Sequence, residues 1–258
     1  MLTGKQQRQY LTKQNNAWQE HLQTFRDSRD PEALHQLRVT LKKLKAVARF
    51  SKDCAGTKAV RDFNGLKKMF KQAGVIRDAG NHLQLLERFH PASEEYKTQQ
   101  QHLQTTETER FIQQIKKYRR QGKRAGRRLV GHVHSIPAHS IQDWYAVQII
   151  TTGILLTASG DDLHNARKQI KDMLYVEKLL PATVSADLNL NRPYLDDLQD
   201  AIGQWHDAVV VVSTWAGKDL EGSQAMVHAC REKESAVRTL AADFYLSVHC
   251  AVPAPANP

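Results

Sequence analysis

Apolar residues return along this chain with the spacing of a helix face. Leu34, Leu37, Leu41, Leu44 and Ala48 form one such series, and Leu163, Ala166, Ile170, Met173 and, one turn on, Glu177 form another. A stripe repeating every three to four residues marks an amphipathic helix with one side turned to a core. The period-two alternation of half-buried strands is scarce. Asp30-Pro31 opens the first series, with Pro31 suited to a first helical turn, and Asp161 is placed to cap the second. Ala55-Gly56-Thr57 ends a helix, His90-Pro91-Ala92-Ser93 separates two more with Ser93 as a cap, and breakers cluster at 131–140, 159–160, 181–193 and 217–222. The pattern predicts eight helices, near 5–26, 31–52, 58–89, 93–128, 141–159, 161–180, 193–216 and 223–247. The expected class is all-α, as two four-helix units over 1–130 and 141–250, with a loose Pro-rich tail at 251–258.

The two units echo each other in polar residues as well. His35-Gln-Leu-Arg38-Val-Thr-Leu-Lys42 is answered by His164-Asn-Ala-Arg167-Lys-Gln-Ile-Lys171, 129 positions on. Gly74-Val-Ile-Arg77-Asp78-Ala79 is answered, at the same offset of 129, by Gly203-Gln-Trp-His206-Asp207-Ala208. Two motifs sharing one offset predict an internal duplication. The repeat is imperfect, because the helix ending at Arg128 overruns its counterpart with a strongly basic segment at 116–128.

Charge sharpens this picture. Lys and Arg number 37 against 27 Asp and Glu, a formal charge of +10 that favours a polyanionic partner. Three scattered cysteines, Cys54, Cys230 and Cys250, show no zinc or redox spacing and read as thiols of a reducing compartment. No apolar run reaches the ~18 residues of a membrane span. The N-terminus lacks an apolar signal segment, so a cytoplasmic protein without a membrane role is expected.

The cations are arranged in stripes. On an ideal helix His35, Arg38, Lys42, Lys45, Arg49 and Lys52 share a sector of about 100°, bordering the leucine stripe instead of opposing it. His164, Arg167, Lys171 and Lys178 form a second line, with Asp172 and Glu177 at its margins. Lys116, Arg119, Lys123 and Arg127 form a third, with Arg120, Arg124 and Arg128 alongside, and Lys67, Lys71 and Arg77 a fourth. Like charges at i, i+3 and i+4 repel by a few tenths of a kcal/mol per pair. A solvated helix avoids this by alternating sign, yet between Glu32 and Asp53 there is no acid. A bound polyanion would relieve the repulsion, and Arg forks and Lys ammonium groups both suit phosphate oxygens.

These motifs resemble those of the CHAD domain, the conserved histidine α-helical domain. The segment His35 to Lys45 resembles its first signature and His164 to Glu177, with the Tyr175-Val-Glu177 ending, its second. Gly74-x-x-Arg77-Asp78 and Leu198-Gln199-Asp200-x-x-Gly203-x-x-His206-Asp207 resemble the segments that follow each signature. The resemblance implies two four-helix bundles related by pseudo-twofold symmetry, a basic cavity between them, and binding of inorganic polyphosphate. It places His35, Arg38, Lys42, Lys45, His164, Arg167 and Lys171 in that cavity. Asp172 and Leu174 depart from the family pattern, where bases are common, so the first half is expected to dominate.

Enzymatic signals are lacking. There is no Walker-type glycine loop. Glu107-Thr-Glu109-Arg110 has the alternating acids of a tunnel metalloenzyme but falls in a helical segment. His206-Asp207 has the look of a phosphohydrolase metal dyad, but its repeat partner is Arg77-Asp78, and arginine does not ligate metal. The shared Asp reads as a salt-bridge or capping group. The expectation is a non-catalytic polyphosphate binder with no cofactor or metal, acting as a scaffold at polyphosphate granules. Nucleic-acid binding is the alternative, and a polyphosphate-directed phosphohydrolase a further one. Trp18, Trp144, Trp205 and Trp215 lie off the basic stripes, where they could not stack on bases.

Overall fold

Local signals in the sequence set where the helices begin and stop. The computed structural model describes residues 1–89, 94–158, 160–215 and 223–250. Asp30 accepts hydrogen bonds from the backbone N–H groups of Glu32 (2.9 Å) and Ala33 (3.2 Å), with Pro31 as first helical residue. Gly56 closes that helix at φ 62°, a left-handed conformation that glycine adopts without strain. Thr3 and Gln6 form a capping box at the start of the chain. Asp161, expected as a cap, is instead the first helical residue; Gly160 precedes it at φ 62° and no side chain caps that end. The Ser93 cap and the 251–258 tail lie outside the described residues.

The first unit, Leu2–Ile136, contains α1 (Gly4–Ser28), α2 (Pro31–Ala55), α3 (Ala59–Phe89) and α4 (Glu94–Gly131). Each helix packs on its sequence neighbours and α1 closes on α4, so α2 and α4 sit diagonally across the bundle. Leu34, Leu37, Leu41 and Leu44 are at most 2% exposed and fill the core with Trp18, Leu22, Phe50, Leu66 and Phe111. Helix α1 approaches α4 closely at Gly122 and Gly126. A Cβ at either would lie 2.5 Å from Trp18 or Asn15 respectively. Leu2 and Ile136, both fully buried, exchange two 2.9 Å backbone hydrogen bonds that tie the ends of the unit together.

The second unit starts at Pro137 and contains α5 (Ala138–Thr157), α6 (Asp161–Glu177), α7 (Ala182–Leu188), α8 (Arg192–Trp215), α9 (Ser223–Ala241) and α10 (Phe244–Ser247). Helices α5, α6, α8 and α9 form its bundle, each packing on the next and α9 returning to α5. Leu163, Ala166, Ile170 and Met173 are fully buried, as the periodicity requires. Two elements depart from the eight-helix expectation. The 181–193 segment, read as a break, folds into α7 with Val184 and Leu188 buried. The last helix stops at Ala241, and α10 is separate. Among the described residues there is no strand beyond two isolated bridges, and no helix is long and apolar enough to cross a membrane.

Candidate functional site

In the first unit the basic stripe of α2 lies along α3. The Arg38 guanidinium crosses α3 at Gly74, where a Cβ would overlap its Nη1. Nη1 donates to the Phe70 carbonyl at 3.1 Å, and the guanidinium carbon sits 4.9 Å from the centre of the Phe70 ring. The Lys45 ammonium lies 5.9 Å from the same ring. Burial, with Arg77 nearby, lowers the Arg38 pKa, while Asp78 opposes the shift. The Arg38 Nε–H is buried without a hydrogen-bond partner. His35 contacts Arg77 through its Nδ1. Lys42 is half-buried and Arg49 exposed on the same helix.

The second unit repeats this construction between α6 and α8. Arg167 Nε donates to the Gln199 carbonyl at 2.8 Å, and a Cβ at Gly203 would lie 2.8 Å from its Nη2. His164 stacks on His206 with ring centres 4.3 Å apart and planes at 27°. Each of these residues stands 129 positions after its counterpart: Arg38, Phe70, Gly74, His35 and Arg77 become Arg167, Gln199, Gly203, His164 and His206. The substitution of histidine for Arg77 changes the electrostatics. Burial, then His206, Lys168 and Arg167, push the His164 pKa down to about 4 against the opposing effect of Asp161. Burial also lowers that of His206, assisted by Arg167 and Lys168 and opposed by Asp207 and Asp161. Lys171 and Asp172 are half-buried and Lys178 is exposed.

Glu177 is not at the margin of the basic stripe. It is 4% exposed and accepts hydrogen bonds from Arg192 Nε (2.8 Å) and Ser185 Oγ (2.9 Å). A single-helix projection put it on the apolar line, and the partners that let it stay there come from α7 and α8. Asp78 and Asp207, read as ion-pair or capping groups, are exposed and act on Arg38 and His206 at longer range.

The α4 stripe is not brought together with the α2 stripe in the first unit. Lys123 and Arg127 border a groove of about 500 Å³ between α1 and α4, lined also by Thr12, Asn16 and Gln19. Arg119 is half-buried and donates to Gln23 of α1. Lys116 and Arg120 are exposed. Lys67 and Lys71 are exposed on α3. The Glu107 segment lies within α4. Glu107 accepts from Gln72 (3.2 Å) and Arg110 (2.6 Å), and these bonds, Gln72 first, lower its pKa. No cluster of three metal-ligating side chains occurs among the described residues. Trp18, Trp144 and Trp205 are each at most 8% exposed; the Trp215 side chain lies outside what the structure describes. Arg77, which the sequence set only in a fourth stripe, and His206, set apart there as a dyad with Asp207, join the site because each touches the histidine of its own unit.

Each unit thus pairs two helices through an arginine seated over a glycine, with a histidine beside it. The CHAD domain family model matches residues 9–216, and the chain belongs to that family. The fold is similar to the crystal structure of the CHAD domain from the plant Ricinus communis, with a TM-score of 0.66 and 16% identity over 94% of this chain and 92% of that one. No curated protein matches the chain.

Proposed function

We propose that this protein binds inorganic polyphosphate through its basic helix faces and carries out no chemistry on it. The observation that carries the reading is the Arg38 seat. A guanidinium is held by a main-chain carbonyl over a glycine, with a buried Nε–H that has no partner and Lys42, Lys45 and Arg49 along the same helix. A donor left without an acceptor in a row of cations suits an oxyanion. The Arg167 seat places a second guanidinium over a glycine in the other unit, with its Nε–H given to the Gln199 carbonyl. Burial of Trp18, Trp144 and Trp205 removes them as stacking platforms, which favours a polyanion without bases over single-stranded nucleic acid. A scaffold role at cytoplasmic polyphosphate granules is consistent with such binding.

The test is titration with polyphosphate, single-stranded DNA and duplex DNA at matched charge concentration over a range of salt. Polyphosphate should bind tightest, with log affinity falling linearly in log salt as counterions are released, a rule extended here from nucleic acids. Arg38→Ala with Lys42→Ala should weaken binding at least tenfold, since a charge-assisted hydrogen bond contributes ~1.5–3 kcal/mol. Arg167→Ala with Lys171→Ala should cost less, because Asp172 already dilutes that stripe. Tighter DNA binding, or affinity indifferent to salt, overturns the reading. Phosphate release from polyphosphate by the pure protein, abolished by changing His206 or Asp207, overturns its non-catalytic part.

A further inference from the structure

The two units differ at one point in an otherwise matching construction. The first places a permanent cation, Arg77, against His35, whereas the second places His206 against His164. Both rings are half-buried. The His164 Nδ1 is buried with no hydrogen-bond partner. Among the described residues no carbonyl or carboxylate accepts from it, so no hydrogen bond stabilises a charge on the ring.

The groups facing the pair explain its resting state. Helix α6 contributes Arg167 and Lys168, which oppose a further positive charge, and Asp161, which favours one; α8 contributes Asp207, which favours one on His206. Helix α5 has no charged residue between Trp144 and Thr157. From α9, Lys233 reaches Gln204 of α8 (3.4 Å), and Arg238 holds the carbonyls of Leu156 and Ala158 (2.9 and 2.6 Å) while pairing with Glu234 (3.3 Å). Apart from the two aspartates nearest the pair, burial and cations leave it neutral near neutral pH. An oxyanion drawn to Arg167 and Lys168 reverses the balance, because a nearby negative charge favours the imidazolium form.

We propose that His164 and His206 form a proton-coupled phosphate contact, neutral when empty and protonated when polyphosphate occupies the α6–α8 face. This rests on the polyphosphate reading above. The first unit, with Arg77, supplies a fixed charge at the equivalent position; the second supplies a charge that arrives with the ligand. Linkage then requires affinity to rise as pH falls, by up to about tenfold per pH unit for each proton fully taken up.

The experiment measures polyphosphate affinity between pH 8 and 5 for the wild type, His206→Arg and His206→Gln, with imidazole proton NMR followed on the same samples. The wild type should tighten steadily toward pH 5. His206→Arg copies the first unit, so it should bind at pH 8 nearly as the wild type does at pH 6, with a shallower slope. His206→Gln should be shallow and weaker at low pH, and stands in if the arginine variant fails to fold. Adding polyphosphate should raise the midpoint of the His164 titration in the wild type. Equal slopes for the wild type and both folded variants, with His164 titrating alike with and without ligand, overturn the coupling and leave polyphosphate binding intact. Failure to bind at any pH overturns both.

Discussion

At the scale of single residues, the two glycines of the repeated motif matter more than their neighbours suggest. Gly74 is the space in which the Arg38 guanidinium lies. Alanine there gains about 1 kcal/mol of helix propensity. It also displaces the guanidinium from the Phe70 carbonyl, a charge-assisted hydrogen bond of ~1.5–3 kcal/mol. The loss exceeds the gain, so Gly74→Ala is expected to lower stability by about 1 kcal/mol and to weaken polyphosphate binding. Urea denaturation and titration read the two effects separately; an unchanged urea midpoint with unchanged binding would show that Arg38 does not depend on its seat. The sequence marked Gly74, Arg77, Gly203 and His206 as repeated. It could not show that each glycine receives an arginine from 36 positions earlier, because that contact exists only once two helices pack.

At the scale of helices, the α1–α4 contact sets where the third basic stripe lies. Gly122 and Gly126, one turn apart, let Trp18 and Asn15 lie against α4, and the Asn15 side chain donates to the Gly126 carbonyl at 3.4 Å. Trp18 is fully buried and cannot yield to a Cβ at Gly122. Overpacking of a filled core costs ~1–3 kcal/mol, more than the helix propensity that alanine adds. Gly122→Ala should therefore lower the melting temperature and separate α1 from α4, whereas Gly131→Ala, with no atom within 4 Å of its new Cβ, should not. Equal melting temperatures for the two variants would refute the close packing. Periodicity located the long helices but missed α7. A seven-residue helix is too short to be stable alone, and it forms because Val184 and Leu188 are buried and Asn189 closes it in a left-handed conformation.

For the whole molecule, the same histidines tie stability to pH. Burial, the leading cause for both, depresses the His164 and His206 values, His164 to about 4. Above the ordinary histidine value of about 6.5 both rings are neutral folded or unfolded, and their contribution is complete. As pH falls from there toward 4, the unfolded chain binds protons that the native rings refuse, so stability declines across that window. The urea midpoint of the ligand-free protein should drop between pH 7 and 5, and the drop should shrink in His164→Gln. A wild-type midpoint flat over that range would contradict the neutral pair.

The sequence by itself determined the helical class, the positions of the long helices, the repeated motifs and the basic character of α2, α4 and α6. These follow from local periodicity and charge, which a chain displays before it folds. Tertiary structure alone decided which cations belong together. Arg38 turns to α3 and Arg119 to α1, so the α2 and α4 stripes serve different faces of one unit. It also decided that Glu177 is an internal ion-pair partner, because Arg192 lies on a helix beyond the reach of any single-helix pattern. Likewise it set His206 against His164, since ring stacking depends on how α6 meets α8. Spacing along a chain reports which face a residue occupies; what stands opposite that face is fixed only by packing.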